Sequence, residues 1–170
     1  RKELVERVRD TVSTLGCTLD PFAGYLLSRG LKTLGLRVER QNRVAAEVAR
    51  FLEGHPKVLD VWYPRRPSHP QHSLARRQML GFGGMLAFSV RGGLEGATAV
   101  MNNVRMCIPA ASLGGVETLI SMPVTSSHKN VPRERLERAG ITDGTLRLSA
   151  GIEDPEDIIA DLKQALDQVP

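Results

Sequence analysis

One helical pattern runs from Asp20 to about Gly54, well beyond the roughly 8–20 residues of an ordinary globular helix. Asp20 suits the N-cap, where a carboxylate accepts first-turn N–H groups, and Pro21 suits the first helical position, where a missing N–H costs nothing. Leu27, Leu31, Leu34 and Val38 fall on one stripe, which Val44, Val48 and Leu52 resume after a polar interval of Glu39, Arg40, Gln41 and Asn42. The pattern predicts one long N-terminal helix with a bend at Gly30 or Gly35.

Beyond Gly54 the pattern changes. Val58 to Tyr63 reads as a strand, followed by a Pro-rich loop from Pro64 to Pro70 and a brief helix to about Met79. Further strands are expected at Met85–Val90, Arg105–Pro109, Thr118–Met122 and Thr145–Ala150, with helices at Leu94–Asn103 and Arg133–Ala139. Asp154-Pro155-Glu156-Asp157 starts a last helix with acidic groups at its N-terminus, where the helix dipole favours them, and Ile158, Leu162 and Leu166 form its buried stripe. Strands alternating with helices, without a GxGxxG phosphate loop, give an α/β (α+β) sandwich: a mostly antiparallel sheet of four or five strands covered by helices on one face.

Charge and cysteine usage exclude several functions. The formal charge is +4, but Lys and Arg are interleaved with Asp and Glu and aromatic residues are 4% of the chain, so a nucleic-acid partner is not expected. No apolar run is long enough to span a bilayer. Cys17 and Cys107 lie in no metal-ligand spacing and read as free buried thiols, and the protein is expected in the cytoplasm. The sequence opens on Arg-Lys-Glu without an initiator methionine, as a piece of a longer polypeptide would.

Four stretches, in order, resemble the trans-sulfuration family of pyridoxal-phosphate (PLP) enzymes, which includes the cystathionine gamma-lyases and gamma-synthases and the methionine gamma-lyases. They are Pro21-Phe22 through SRGLKTLGLRVERQ, HPKVLDVWYP with SHPQHSLARRQMLGFGGMLAF, SLGGVETLISMP, and LRLSAGIEDPEDIIADLKQAL. The resemblance implies the C-terminal small domain of a fold-type I PLP enzyme. Residues 1–54 would be a connecting segment and long helix leading out of the cofactor domain, and residues 55–170 the small domain. PLP would be held mainly by sequence upstream, together with the lysine, aspartate, tyrosine and phosphate loop that have no counterpart here. The partners implied are a sulfur amino acid and further copies of the enzyme, as a homodimer or homotetramer, with no nucleic acid and no membrane.

The same resemblance assigns site residues. Arg147, in RLSAGIED, matches the arginine that binds the substrate's carboxylate, and a planar guanidinium can grip a carboxylate through two parallel charge-assisted hydrogen bonds. Ser112 and Leu113 would bind substrate in the SLGG turn. Gly114, Ser127 and His128 would support them from behind. Ser126-Ser127-His128-Lys129 mimics a Ser-x-x-Lys nucleophile motif, yet it falls in the family's MTH-like segment, far downstream of the cofactor lysine. No catalytic, cofactor-binding or metal residue is therefore expected in this chain, and in isolation it should be inactive. Ala111 stands where several gamma-lyases carry an acid, which leaves a cysteine, persulfide or methionine lyase beside a cystathionine enzyme, and a non-catalytic assembly domain beside both.

Overall fold

The computed structural model describes residues 1–16 and 18–170; the expectation for Cys17 lies outside the described residues. The chain divides into two compact units, Arg1–Gly35 and Leu36–Pro170.

The first unit holds α1 (Lys2–Leu15) and α2 (Pro21–Leu31), and neither helix buries a residue. Asp20 caps α2 as its chemistry predicts, its Oδ1 accepting from the N–H groups of Phe22 and Ala23 at 3.0 Å each. The single long helix expected from Asp20 to Gly54 is instead two, because helical structure stops at Lys32-Thr33 and resumes as α3 (Leu34–Glu53). The Lys32 N–H bonds to Arg29 O, three residues back rather than four, which tightens the last turn of α2. Gly30 and Gly35 flank this break, each about 1 kcal/mol poorer than alanine in a helix, and β-branched Thr33 lies between them.

In the second unit, α3 is followed by β1 (Val58–Trp62), α4 (His72–Gln78), β2 (Met85–Val90), α5 (Gly93–Asn103), β3 (Ile108–Pro109), β4 (Leu119–Ser121), α6 (Arg133–Arg138), β5 (Thr145–Ser149) and α7 (Pro155–Leu166). The five strands form one sheet in the order β1-β2-β5-β4-β3, antiparallel except for the β3–β4 pair. The mixed, mostly antiparallel architecture read from the sequence is the one observed.

Strand alternation sorts the sheet into two faces. Val61 pairs with Phe88, Phe88 with Leu146, and Leu148 sits between Leu86 and Ile120, so these side chains share one face. They are buried together with Val44, Val48 and Leu52 of α3, Val100 of α5, and Ile158, Leu162 and Leu166 of α7. Fully burying one such side chain contributes about 1.5–3 kcal/mol relative to leaving it exposed. The other face carries Trp62, Ala87, Arg147 and Ser121 side by side across four strands.

β3 is shorter than predicted because the backbone ahead of it is engaged elsewhere. Asp161 of α7, a nearly buried carboxylate, accepts from Arg105 N at 2.8 Å, Met106 N at 2.9 Å and Cys107 N at 2.8 Å, so these N–H groups do not join the sheet. Burial alone would raise the Asp161 carboxyl, but the N–H groups of Cys107, Arg105 and Met106 and the Gln164 amide outweigh it and leave its pKa lowered. Cys107 is a free buried thiol whose pKa burial pushes up, with the Asp161 charge beside it acting in the same direction.

Candidate functional site

The polar face of the sheet owes its character to small neighbours. Arg147 is flanked in register by Ala87 and Ser121, neither long enough to cover it. Its half-buried side chain lies against the turn between β3 and β4, where Nη2 donates to Ala111 O at 2.8 Å and Ser112 O at 2.9 Å. Nε is buried without a hydrogen-bond partner. A buried donor left unpaired costs about 1–3 kcal/mol, so an acceptor arriving at Nε removes a penalty already present.

A guanidinium has two edges that can take a carboxylate through a pair of parallel N–H bonds, Nε with Nη2 and Nη1 with Nη2, and both include Nη2. Because Nη2 already serves two carbonyls, a carboxylate gripped bidentately must share or replace the bond to Ala111 or Ser112. The arrangement thus offers a carboxylate an orphaned donor and couples its binding to the turn.

That turn is held at its back by side chains from three directions. Gly114 adopts a left-handed φ of 78°, where an L side chain is strained, and its N–H donates to Ser149 Oγ at 2.9 Å. Gln41, nearly buried on α3, donates from Nε2 to Gly115 O at 2.7 Å. Thr118 is tied to Glu153, whose Oε1 accepts from Thr118 N at 2.6 Å and whose Oε2 accepts from the Thr118 hydroxyl at 2.8 Å. Arg40 of α3 in turn donates from Nη2 to Glu153 O at 2.8 Å and from Nε to Ile152 O at 3.2 Å.

Of the residues singled out in the sequence, the structure brings together Arg147, Ser112 through its carbonyl, and Gly114 through Ser149. Leu113 projects 57% exposed from the same turn. Ser127 and His128 form a pair of their own, Ser127 Oγ lying 2.8 Å from His128 Nδ1 just beyond a short 3-10 turn at Pro123–Thr125. No hydrogen bond among the described residues joins that pair to Arg147 or to the SLGG turn. Arg40, Gln41, Ser149 and Glu153 escaped the sequence reading, and the first two lie in the polar interval of the α3 stripe. That interruption was the signal: a run of polar residues on a helix's buried face has partners elsewhere in the fold.

A separate cleft of about 430 Å³ runs along α3 past Arg43, Arg50, Arg65 and Leu80, with Glu39 and Glu47 also lining it. No group of three or more His, Cys, Asp or Glu among the described residues is placed to hold a metal, and none of the described helices is long and apolar enough to cross a membrane.

The chain resembles known proteins along nearly its whole length. The family model for PLP-dependent enzymes of Cys/Met metabolism matches residues 1–167. A cystathionine gamma-lyase of Dictyostelium discoideum is 44% identical over 166 residues, 98% of this chain and 43% of that protein. An L-methionine gamma-lyase of Fusobacterium nucleatum is 43% identical over 170 residues, 99% of this chain and 43% of that protein. The solved cystathionine gamma-lyase of Micromonospora echinospora superposes with a TM-score of 0.92 at 36% identity, over 98% of this chain and 44% of its own. A putative O-acetylhomoserine (thiol)-lyase of Campylobacter jejuni, solved with N'-pyridoxyl-lysine-5'-monophosphate, superposes at 0.86 with 37% identity, over 90% of this chain and 37% of its own. The chain spans less than half the length of these relatives.

Proposed function

From the premise that this chain belongs to the PLP-dependent enzymes of Cys/Met metabolism, we propose that it forms the C-terminal, substrate-carboxylate-binding part of a carbon–sulfur lyase or trans-sulfuration enzyme acting on a sulfur amino acid. The observation that carries this reading is Arg147, on the polar face of the sheet with Nε buried and unpartnered and Nη2 on the SLGG turn. Held by the remainder of the polypeptide, PLP supplies an electron sink for chemistry at the substrate's alpha carbon. The part of this chain is positional. Arg147 fixes the carboxylate and the 111–114 turn walls the site beside it. Restricting the substrate in this way lowers the entropic cost of reaching the reactive geometry.

On this reading residues 1–54 connect to the cofactor domain, and the exposed Leu4, Val8, Phe22 and Leu27 of α1 and α2 pack against polypeptide outside this chain. The complete enzyme is a cytoplasmic homodimer or homotetramer, and the 170 residues alone are inactive for want of the cofactor lysine. Ala111 favours a second reading within the family. It is exposed, apolar and one residue from Ser112, so it presents no acid to the distal amino group of a cystathionine, which suits a shorter cysteine, persulfide or methionine substrate.

The test is Arg147→Ala in the complete enzyme. Loss of a charged contact of this kind costs about 2–5 kcal/mol, so kcat/KM for the amino acid should fall by at least about thirtyfold while PLP absorbance persists. Unchanged kinetics would refute the assignment.

A further inference from the structure

Arg147 and Ser149 stand two residues apart on the same face of β5 and reach the same turn, one from each end. Arg147 holds the Ala111 and Ser112 carbonyls, and Ser149, 2% exposed, accepts the Gly114 N–H at 2.9 Å. Among the described residues, no other side chain hydrogen-bonds to the backbone of residues 111–114. The two holds differ in what a ligand does to them. Either bidentate edge of the guanidinium requires Nη2, so a bound carboxylate shares or replaces at least one of the turn-carbonyl bonds. The Ser149 hydroxyl is enclosed and faces no such competition.

We propose that Ser149 is a positioning residue for substrate recognition: it anchors the SLGG turn through the Gly114 N–H while Arg147 offers Nη2 to the substrate's carboxylate. The inference rests on the carboxylate-binding reading of Arg147. Ser149 touches no substrate; it acts by keeping Ser112 and Leu113 where the carboxylate arrives. Gly114 makes the anchor sensitive, because its left-handed φ of 78° is a conformation that only glycine holds without strain, and the Ser149 bond helps to keep it there.

The experiment compares Ser149→Ala and Gly114→Ala in the complete PLP-loaded enzyme. At Gly114 an added Cβ has open space around it, so that variant perturbs only the backbone conformation. Kinetics with an amino-acid substrate and with its carboxamide analogue are measured alongside amide hydrogen exchange of the 112–118 segment. Each variant is expected to raise KM for the amino acid about three- to tenfold, the range for one neutral hydrogen bond, with kcat and the carboxamide kinetics within about twofold. Exchange of 112–118 should quicken while that of 145–148 stays as in the parent. Equal losses on both substrates, or unaltered exchange of the turn, would overturn the proposal. Should Ser149→Ala not fold, Ser149→Cys, which keeps the side chain's shape but accepts the Gly114 N–H only weakly, takes its place. Arg147→Ala, measured in parallel, separates the failures. If it lowers the carboxylate preference and the two turn variants do not, only the role of Ser149 falls; if it too leaves that preference unchanged, the carboxylate site falls and this inference with it.

Discussion

Replacing Asp161 with alanine removes the acceptor of three consecutive backbone N–H groups, and its effect can be worked out from the surroundings of each. Arg105 is exposed and its N–H can turn to water, whereas Met106 is half-buried and Cys107 is 2% exposed. A hydrogen bond to a charged acceptor contributes about 1.5–3 kcal/mol, so the two shielded N–H groups set a cost of about 3–6 kcal/mol. That is a large part of the roughly 5–15 kcal/mol by which a domain is stable. Urea unfolding of the parent chain and the variant at pH 7 measures it. Acid adds a second check. The Asp161 pKa is lowered on folding, so its contribution is fully present above the unfolded value of about 3.9 and is lost as pH falls through the folded one. The gap between the parent and Asp161→Asn should therefore shrink on acidification. A cost below about 1 kcal/mol at pH 7, or a gap that ignores pH, would refute the reasoning.

Two further outcomes follow from the same structure. Burial holds the His55 imidazole below the ordinary histidine range, with Asp167 opposing and Lys163 and Lys57 reinforcing it; the unfolded chain then binds the proton more readily, so stability should fall as pH drops through about 6.5. His55→Gln should remove that slope, and identical stability profiles of parent and variant between about pH 7.5 and 5.5, each about a unit from this value, would contradict the assignment. Gln41→Leu deprives the Gly115 carbonyl of its donor, so it should cost about 1–2 kcal/mol in urea unfolding and raise KM for the amino acid more than it lowers kcat; an unchanged KM would make the α3 contact structural only.

The sequence displayed features whose causes are local. Asp20 and Asp154 cap α2 and α7 with their own side chains, and the alternation of Leu146, Arg147 and Leu148 sorts them onto opposite faces of the sheet. Features with distant causes stayed hidden. The ends of β3 depend on Asp161, 54 residues from Cys107 along the chain, although a carboxylate within the Ile158–Leu162 stripe could have marked it. Arg40 and Gln41 reach backbone carbonyls of two loops, and backbone acceptors leave no trace in residue identity. The break at Lys32-Thr33 replaced a continuous helix because stripe periodicity reports which face is apolar and says little about where the hydrogen-bond ladder stops. Of the site itself, Arg147 and the SLGG turn came through family resemblance; their meeting through two carbonyls is a tertiary fact.

A crystal structure of the complete enzyme with an unreactive amino acid bound tests the central claim most directly. A carboxylate oxygen is expected within hydrogen-bond distance of Arg147 Nε, with Nη2 released from Ala111 O or Ser112 O or shared with it, and Gly114 N still on Ser149 Oγ. A carboxylate bound elsewhere, with Nε still unpartnered and both carbonyl bonds intact, would contradict the account.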